Sequence, residues 1–152
     1  MKLQLVTAIT LITPLFLAQA VQAGNQQDLQ KLLATRQCVQ CNLSGMNLSG
    51  QHLIGADLRG ANLQGANLTD TNLEGADLTG ANLQNANLTS AFLTNVNFKQ
   101  ANMNGANLTR ATINDSNVYQ ALMNNMTITD AQIYNTGIGV GGEGKVVIPD
   151  WK

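Results

Sequence analysis

An apolar residue returns every five positions through the middle of this chain, at Leu43, Leu48, Leu53, Leu58 and onward through Phe98, Met103, Ile113, Val118, Met123, Ile128, Ile133 and Ile138. From Cys41 to Val140 the sequence reads as twenty consecutive five-residue units, clearest in Ala61-Asn62-Leu63-Gln64-Gly65 and Ala66-Asn67-Leu68-Thr69-Asp70. A period of five fits neither regular element. In a helix, five steps of roughly 100° turn each leucine by about 140° from the last; in an unbroken strand successive leucines would alternate faces.

The leucines share an interior if each unit is a very short strand followed by a corner. With the central residue called i, positions i−2 and i point inward and i−1 points out. Position i−2 is mostly alanine. Position i+2 carries the corner signal, glycine at 45, 50, 55, 60, 65, 75 and 80, then Asn85, Asn95, Asn125 and Asn135, residue types that tolerate the positive φ of a type II turn. Four corners close one coil in twenty residues, and coils stacked about 4.8 Å apart make a rod of about five coils and about 24 Å.

These units resemble the A(D/N)LXX repeats of the pentapeptide-repeat family. The resemblance implies an all-β fold, a right-handed quadrilateral parallel β-helix, over essentially the whole chain beyond a short N-terminal segment. It implies no particular activity, because the fold carries many roles.

Met1 to Ala23 holds one lysine, an apolar run from Leu3 to Leu17 broken by Pro14, and small residues at Ala18, Ala20 and Ala23. That layout is expected of a secretory signal peptide cleaved after Ala23, or else after Ala20. A membrane anchor is the alternative, but the run falls short of the roughly 20 residues a spanning helix needs. Residues 24–40 are expected to form a capping helix and turn, with Leu29, Leu32 and Leu33 at helical spacing and Asn25 and Asp28 as N-cap and reciprocal partner. Such a helix would cover the exposed leucines and unpaired strand groups at the first end of the stack.

Cys38-Val39-Gln40-Cys41 follows. In an oxidising compartment the expected state is a Cys38–Cys41 disulfide. A redox-active pair lacks a surrounding βαβ pattern, haem attachment needs a histidine where Asn42 stands, and two cysteines are too few for structural zinc. The bond requires a turn, because three extended steps span about 10 Å and a disulfide needs Cα atoms within about 7 Å. Cys38 is therefore expected in the bend before the first coil.

Residues twenty apart should stack into four walls. The first carries Asn42, Asn62, Asn82, Asn102 and Leu122 at i−1. The second carries Asn47, Asn67, Asn87, Asn107 and Thr127, beside Ser49, Thr69, Thr89, Thr109 and Thr129 at i+1. Its core, Asn67, Thr69, Asn87, Thr89, Asn107 and Thr109, is a candidate polar grid, either self-satisfied or a recognition surface for a partner or ordered water. The third pairs His52, Asn72, Phe92, Thr112 and Gln132 with Ile54, Glu74, Thr94, Asn114 and Tyr134. His52, Ile54, Phe92 and Tyr134 make it the candidate partner surface. The fourth carries Asp57, Asp77, Asn97 and Asn117 beside Arg59, Thr79, Lys99 and Tyr119. Inside, Gln51 and Thr71 share a column and are expected to satisfy each other.

Beyond the repeats, residues 141–152 read as a glycine-rich joint and an apolar tail. The tail is expected to fold back near Leu122 with Ile148 and Trp151 buried, or else to dock on another protein. Without residues 1–23, and so without Lys2, seven of the eight basic residues face nine acidic ones, a net charge of −2. Neither nucleic-acid binding nor electrostatic steering is indicated. One histidine leaves no set of nucleophile, base and orienter, so no catalysis, cofactor or metal is expected. The expectation is an exported structural or protein-interaction module, a monomer or weak dimer free of membrane after cleavage. The resemblance implies the periplasm or thylakoid lumen. Two alternatives remain: a DNA mimic, the role of the acidic, cytosolic family members that inhibit DNA gyrase, and an ice- or ordered-water-binding solenoid suggested by the threonine column.

Overall fold

The computed structural model describes residues 24–136. The expectations for Met1–Ala23, and for the tail with Ile148 and Trp151, lie outside the described residues. Strand pairing joins residues twenty apart on every wall. Asn42 pairs in parallel with Asn62, Asn47 with Asn67, His52 with Asn72 and Asp57 with Asp77, and each series continues upward. On the third wall the pairing broadens into two short strands, β1 (Thr112–Asn114) and β2 (Gln132–Tyr134), in the same twenty-residue register.

The backbone N–H groups of one unit show why five residues suffice. Leu43 N–H donates to Asn62 O of the next coil at 2.8 Å, and Gly45 N–H donates to Gln64 O at 2.8 Å. Asn62 N–H donates downward to Cys41 O at 2.8 Å, and Met46 N–H closes the corner onto Leu43 O at 3.1 Å. Only the i+1 N–H has no backbone partner. It is taken by the i−1 side chain, as Ser49 N–H bonds Asn47 Oδ1 at 3.2 Å. The polar outward residue therefore holds the corner as an Asx-turn, a role that stacking alone does not suggest.

The corners also accept residues the sequence does not mark. Gln40, Asp70, Ser90, Gln100, Arg110 and Gln120 all have φ between 55° and 58°, a region costing an ordinary L-residue roughly 1–2 kcal/mol. Strand bonds on both sides of each corner hold them there.

The inward columns form the core. Leucines from Leu43 to Leu108 and the alanines beside them are buried. Thr71 is also buried, but its hydroxyl donates to Leu48 O at 2.8 Å and not to Gln51. That corner carbonyl lies in the coil below and points at the i−2 position, so the expected Gln51–Thr71 pairing is corrected. Ser116 repeats the arrangement two levels higher and one wall on, donating to Leu93 O.

Helix α1 (Gln26–Thr35) lies over the first end, with Leu32 buried and Leu29 packed on the core. Asn25 is its N-cap, accepting from Gln27 N–H at 2.9 Å. Asp28 does not reciprocate. Its carboxylate accepts from Asn42 N–H at 2.8 Å, while Asn25 N–H donates to Asn42 O at 2.7 Å and Gly24 N–H to Ser44 O at 2.9 Å. The cap thus meets the unpaired groups of the first strand edge directly. A carboxylate that reaches an orphan N–H outside the helix stabilises two elements at once.

The stack begins one unit before Cys41. Gln37 pairs with Asp57, Cys38 N–H donates to Asp57 O at 2.7 Å, and Gln40 N–H donates to Arg59 O at 2.8 Å. Cys38 consequently occupies the inward i position of a coil, not the bend before it. Arg36-Gln37-Cys38-Val39-Gln40 has neither alanine at i−2 nor glycine or asparagine at i+2, so the repeat pattern does not reveal it.

Candidate functional site

On the second wall the polar grid is occupied by its own members. Asn67 Oδ1 accepts from Thr69 N–H at 3.2 Å and from its hydroxyl at 2.7 Å; Asn87 treats Thr89 alike at 3.1 and 2.6 Å, and Asn107 treats Thr109 alike at 3.0 and 2.7 Å. Amides then link the levels, Asn67 Nδ2 to Asn47 Oδ1 at 3.1 Å and Asn107 Nδ2 to Thr89 Oγ1 at 3.2 Å. Each threonine proton is thus already donated to the neighbouring asparagine.

The first wall has the same amide ladder, Asn82 to Asn62 at 3.3 Å. On the fourth, Arg59 forks onto Asp57, Nε to Oδ1 at 2.8 Å and Nη2 to Oδ2 at 2.7 Å, with Asp77 Oδ2 4.0 Å from Nε. The hydrogen bond from Arg59 holds the Asp57 carboxyl below the usual aspartate value, against a partial desolvation that pushes the other way. The same bond raises the guanidinium of Arg59. Positive charge therefore interrupts the Asp57–Asp77 column at its base. Arg110 and Asp130, which share a corner column, form no ion pair among the described residues.

The third wall breaks the pattern. Asn72 Oδ1 accepts from Glu74 N–H at 2.9 Å, but Phe92 has no acceptor to offer Thr94. The Thr94 N–H, pointing outward, has no partner among the described residues. Beside it the Phe92 ring is 52% exposed. An aromatic face and a backbone donor without a partner among the described residues thus adjoin at mid-wall, as the Ile54 N–H beside His52 also lacks one at the base of the same wall. The four residues expected to form one surface are not brought together: His52 and Ile54 lie on the first level of the wall, Phe92 on the third and Tyr134 on the fifth. Roughly 10 Å of stacking separates Phe92 from either end. Leu122 is exposed at the top of the first wall.

Cys38 and Cys41 are joined by a disulfide, with Cα atoms 5.2 Å apart, and both are buried. They stand at i and i−2 across one corner, whose turn bond is Cys41 N–H to Cys38 O at 3.3 Å. The bond thus replaces the leucine–alanine contact of other corners inside the rod. Among the described residues no group of three or more His, Cys, Asp and Glu could hold a metal ion. No described helix is long and apolar enough to cross a membrane.

With the square coil and its five-residue register established, the family model for pentapeptide repeats matches residues 41–80, 56–95, 76–115 and 93–130. The chain belongs to the pentapeptide repeat family. Its members form right-handed quadrilateral β-helices. Among solved structures, a pentapeptide repeat protein of the Arabidopsis thaliana thylakoid lumen is 29% identical, with 72% of this chain and 70% of that one covered and a TM-score of 0.51. The pentapeptide repeat protein Rfr23 of the cyanobacterium Cyanothece 51142 is 28% identical over 73% of this chain and 97% of its own, TM-score 0.35. QnrB1, a plasmid-mediated fluoroquinolone resistance protein, is 19% identical over 65% of this chain and 51% of its own, TM-score 0.34. No curated protein matches the chain.

Proposed function

We propose that this pentapeptide repeat protein is an exported, non-catalytic module of about five coils that binds another protein through the centre of its third wall. The observation that carries this reading is the Phe92–Thr94 break. Most corners, including Asn72–Glu74 just below, use an i−1 carboxamide or carboxylate to take the i+1 N–H; here an exposed ring stands instead, and that donor has no partner among the described residues. A corner that gives up this stabilising bond and exposes a ring in its place is fitted for a contact made elsewhere. A partner strand or loop could cover the ring and offer a carbonyl to Thr94.

Export is supported by the layout of Met1–Ala23, by a disulfide inside the first coil and by the lumenal source of the Arabidopsis protein. The compartment is the periplasm or thylakoid lumen. DNA mimicry draws no support from the walls, because Arg59 and the amide ladders leave no continuous acidic stripe among the described residues. Ordered-water binding is opposed by threonine hydroxyls whose protons are already donated to the neighbouring asparagines.

The test is Phe92→Asn, which restores the missing acceptor. It should raise stability by about 1 kcal/mol in chemical denaturation and abolish capture of the partner from the native compartment. Undiminished capture by a stabilised variant would rule out this surface.

A further inference from the structure

The base of the rod is held by a corner unlike those above it. At the mid-rod corners, from Leu73 and Ala76 to Leu88 and Ala91, the two inward side chains that meet are leucine and alanine. Here they are Cys38 and Cys41, both buried and joined as a disulfide. The unit that carries Cys38, residues 36–40, has a coil only above it. Cys38 N–H and Gln40 N–H donate up to Asp57 O and Arg59 O, and Asp57 N–H donates down to Arg36 O at 2.8 Å. Its two ends are strained, because Arg36 and Gln40 stand at φ 56° and 57°, a region that ordinary L side chains rarely adopt.

The helix is tied to that same corner. Asp28 O lies 3.3 Å from Cys38 Sγ. The Asp28 carboxylate takes the N–H of Asn42, the residue after Cys41, and Asn25 N–H reaches Asn42 O. Arg36 N–H closes the C-terminus of α1 onto Leu32 O at 2.8 Å. Helix α1, the Cys38 unit and the first edge at Asn42 therefore dock as one piece, with the sulfur pair as the inward contact at its centre. Without the bond that contact is poor. Two thiols approach no closer than non-bonded contact, and their side chains bring fewer atoms to the corner than leucine and alanine do, so both the tether and some packing are lost. Even for so short a closed loop, the cross-link is worth about twentyfold in the opening equilibrium.

We propose that Cys38 and Cys41 form a one-way oxidation latch: in the dithiol chain α1 and residues 36–40 open and close on the base of the rod, and oxidation fixes them shut. Closing moves two electrons and two protons from the thiols to a disulfide donor, which leaves as a dithiol. Once shut, both sulfurs are buried, so a reductant meets them only when the whole piece lifts. The use of the latch rests on the export reading proposed above. A chain made where thiols stay reduced keeps its N-terminal end loose, and the base closes on arrival in an oxidising compartment.

Hydrogen exchange on the purified full chain tests the latch without reference to export. Reduction under native conditions should speed exchange about twentyfold at the Asn25, Arg36 and Asn42 amides and leave mid-stack amides such as Leu83 and Leu88 unchanged. The pair Cys38→Ser and Cys41→Ser should exchange as the reduced chain does, with or without reductant. The pair Cys38→Leu and Cys41→Ala, which installs the mid-rod corner, should stay closed in both conditions. Equal exchange of oxidised and reduced chains at the three amides, or a rise spread evenly along the rod, would overturn the proposal. So would an oxidised protein that loses its disulfide to mild reductant as fast as a free peptide does. Retention of the chain on the reducing side of the membrane, with the exchange difference intact, would overturn the export reading and not the latch.

Discussion

At the scale of the residue, the outward i−1 position does more than face solvent. Asn67, Asn87 and Asn107 each accept the stray i+1 N–H and the neighbouring threonine hydroxyl, so a column that looks like surface decoration holds the corners. The inward leucines are governed by packing. Leu83 is fully buried mid-stack, and Leu83→Ala should cost about 3 kcal/mol in urea or guanidinium melts, whereas Leu122→Ala on the exposed rim should change stability little. Asp57 gives a pH signature. Its folded pKa lies below the ordinary 3.8 because of the Arg59 hydrogen bond, so the unfolded state binds a proton first as acid is added. The stabilisation is complete above the ordinary aspartate range and is lost as pH falls through the depressed folded value. Arg59→Ala should return the Asp57 carboxyl toward 3.8 in an NMR titration and make the parent–variant stability difference vanish in strong acid.

At the scale of the element, the cap and the first coil are one structure. Asp28 was legible as a helix-capping residue, because its spacing from Asn25 matches a capping box, yet it takes the N–H of Asn42 instead. Local spacing identifies which groups can bond; which orphan donor comes within reach depends on where the helix lies over the coil. Asp28→Ala should therefore cost about 1–2 kcal/mol, with hydrogen exchange rising at Asn42 as well as within α1. Exchange confined to the helix would show that the cap and the strand edge are uncoupled. The cysteine pair teaches the same lesson. The need for a turn followed from Cys-x-x-Cys, but Cys38 proves to be an inward coil residue, because pairing with Asp57 recruits a unit that has none of the repeat's marker residues.

At the scale of the whole molecule, the rod is a stack in which each level touches only its neighbours, so its stability should grow with the number of levels. Duplicating Ala61–Gly80, one full turn through all four walls, should lengthen the rod by about 4.8 Å in solution scattering and raise its melting temperature. Inserting a single alanine between Asn62 and Leu63 should instead unfold the stack, since it turns the following inward residue outward. The five-residue period, by itself, determined the square coil, the common leucine interior and the four stacked columns, because a side-chain period that fits neither helix nor strand leaves few ways to bury one residue in five. Only the tertiary structure decided that the stack starts at Gln37, that Thr71 bonds a carbonyl one coil below, and that Thr94 beside the exposed Phe92 lacks the side-chain acceptor most corners have. Those outcomes depend on contacts between residues twenty or more apart, where a donor's partner is chosen by the neighbouring coil and not by the chain beside it.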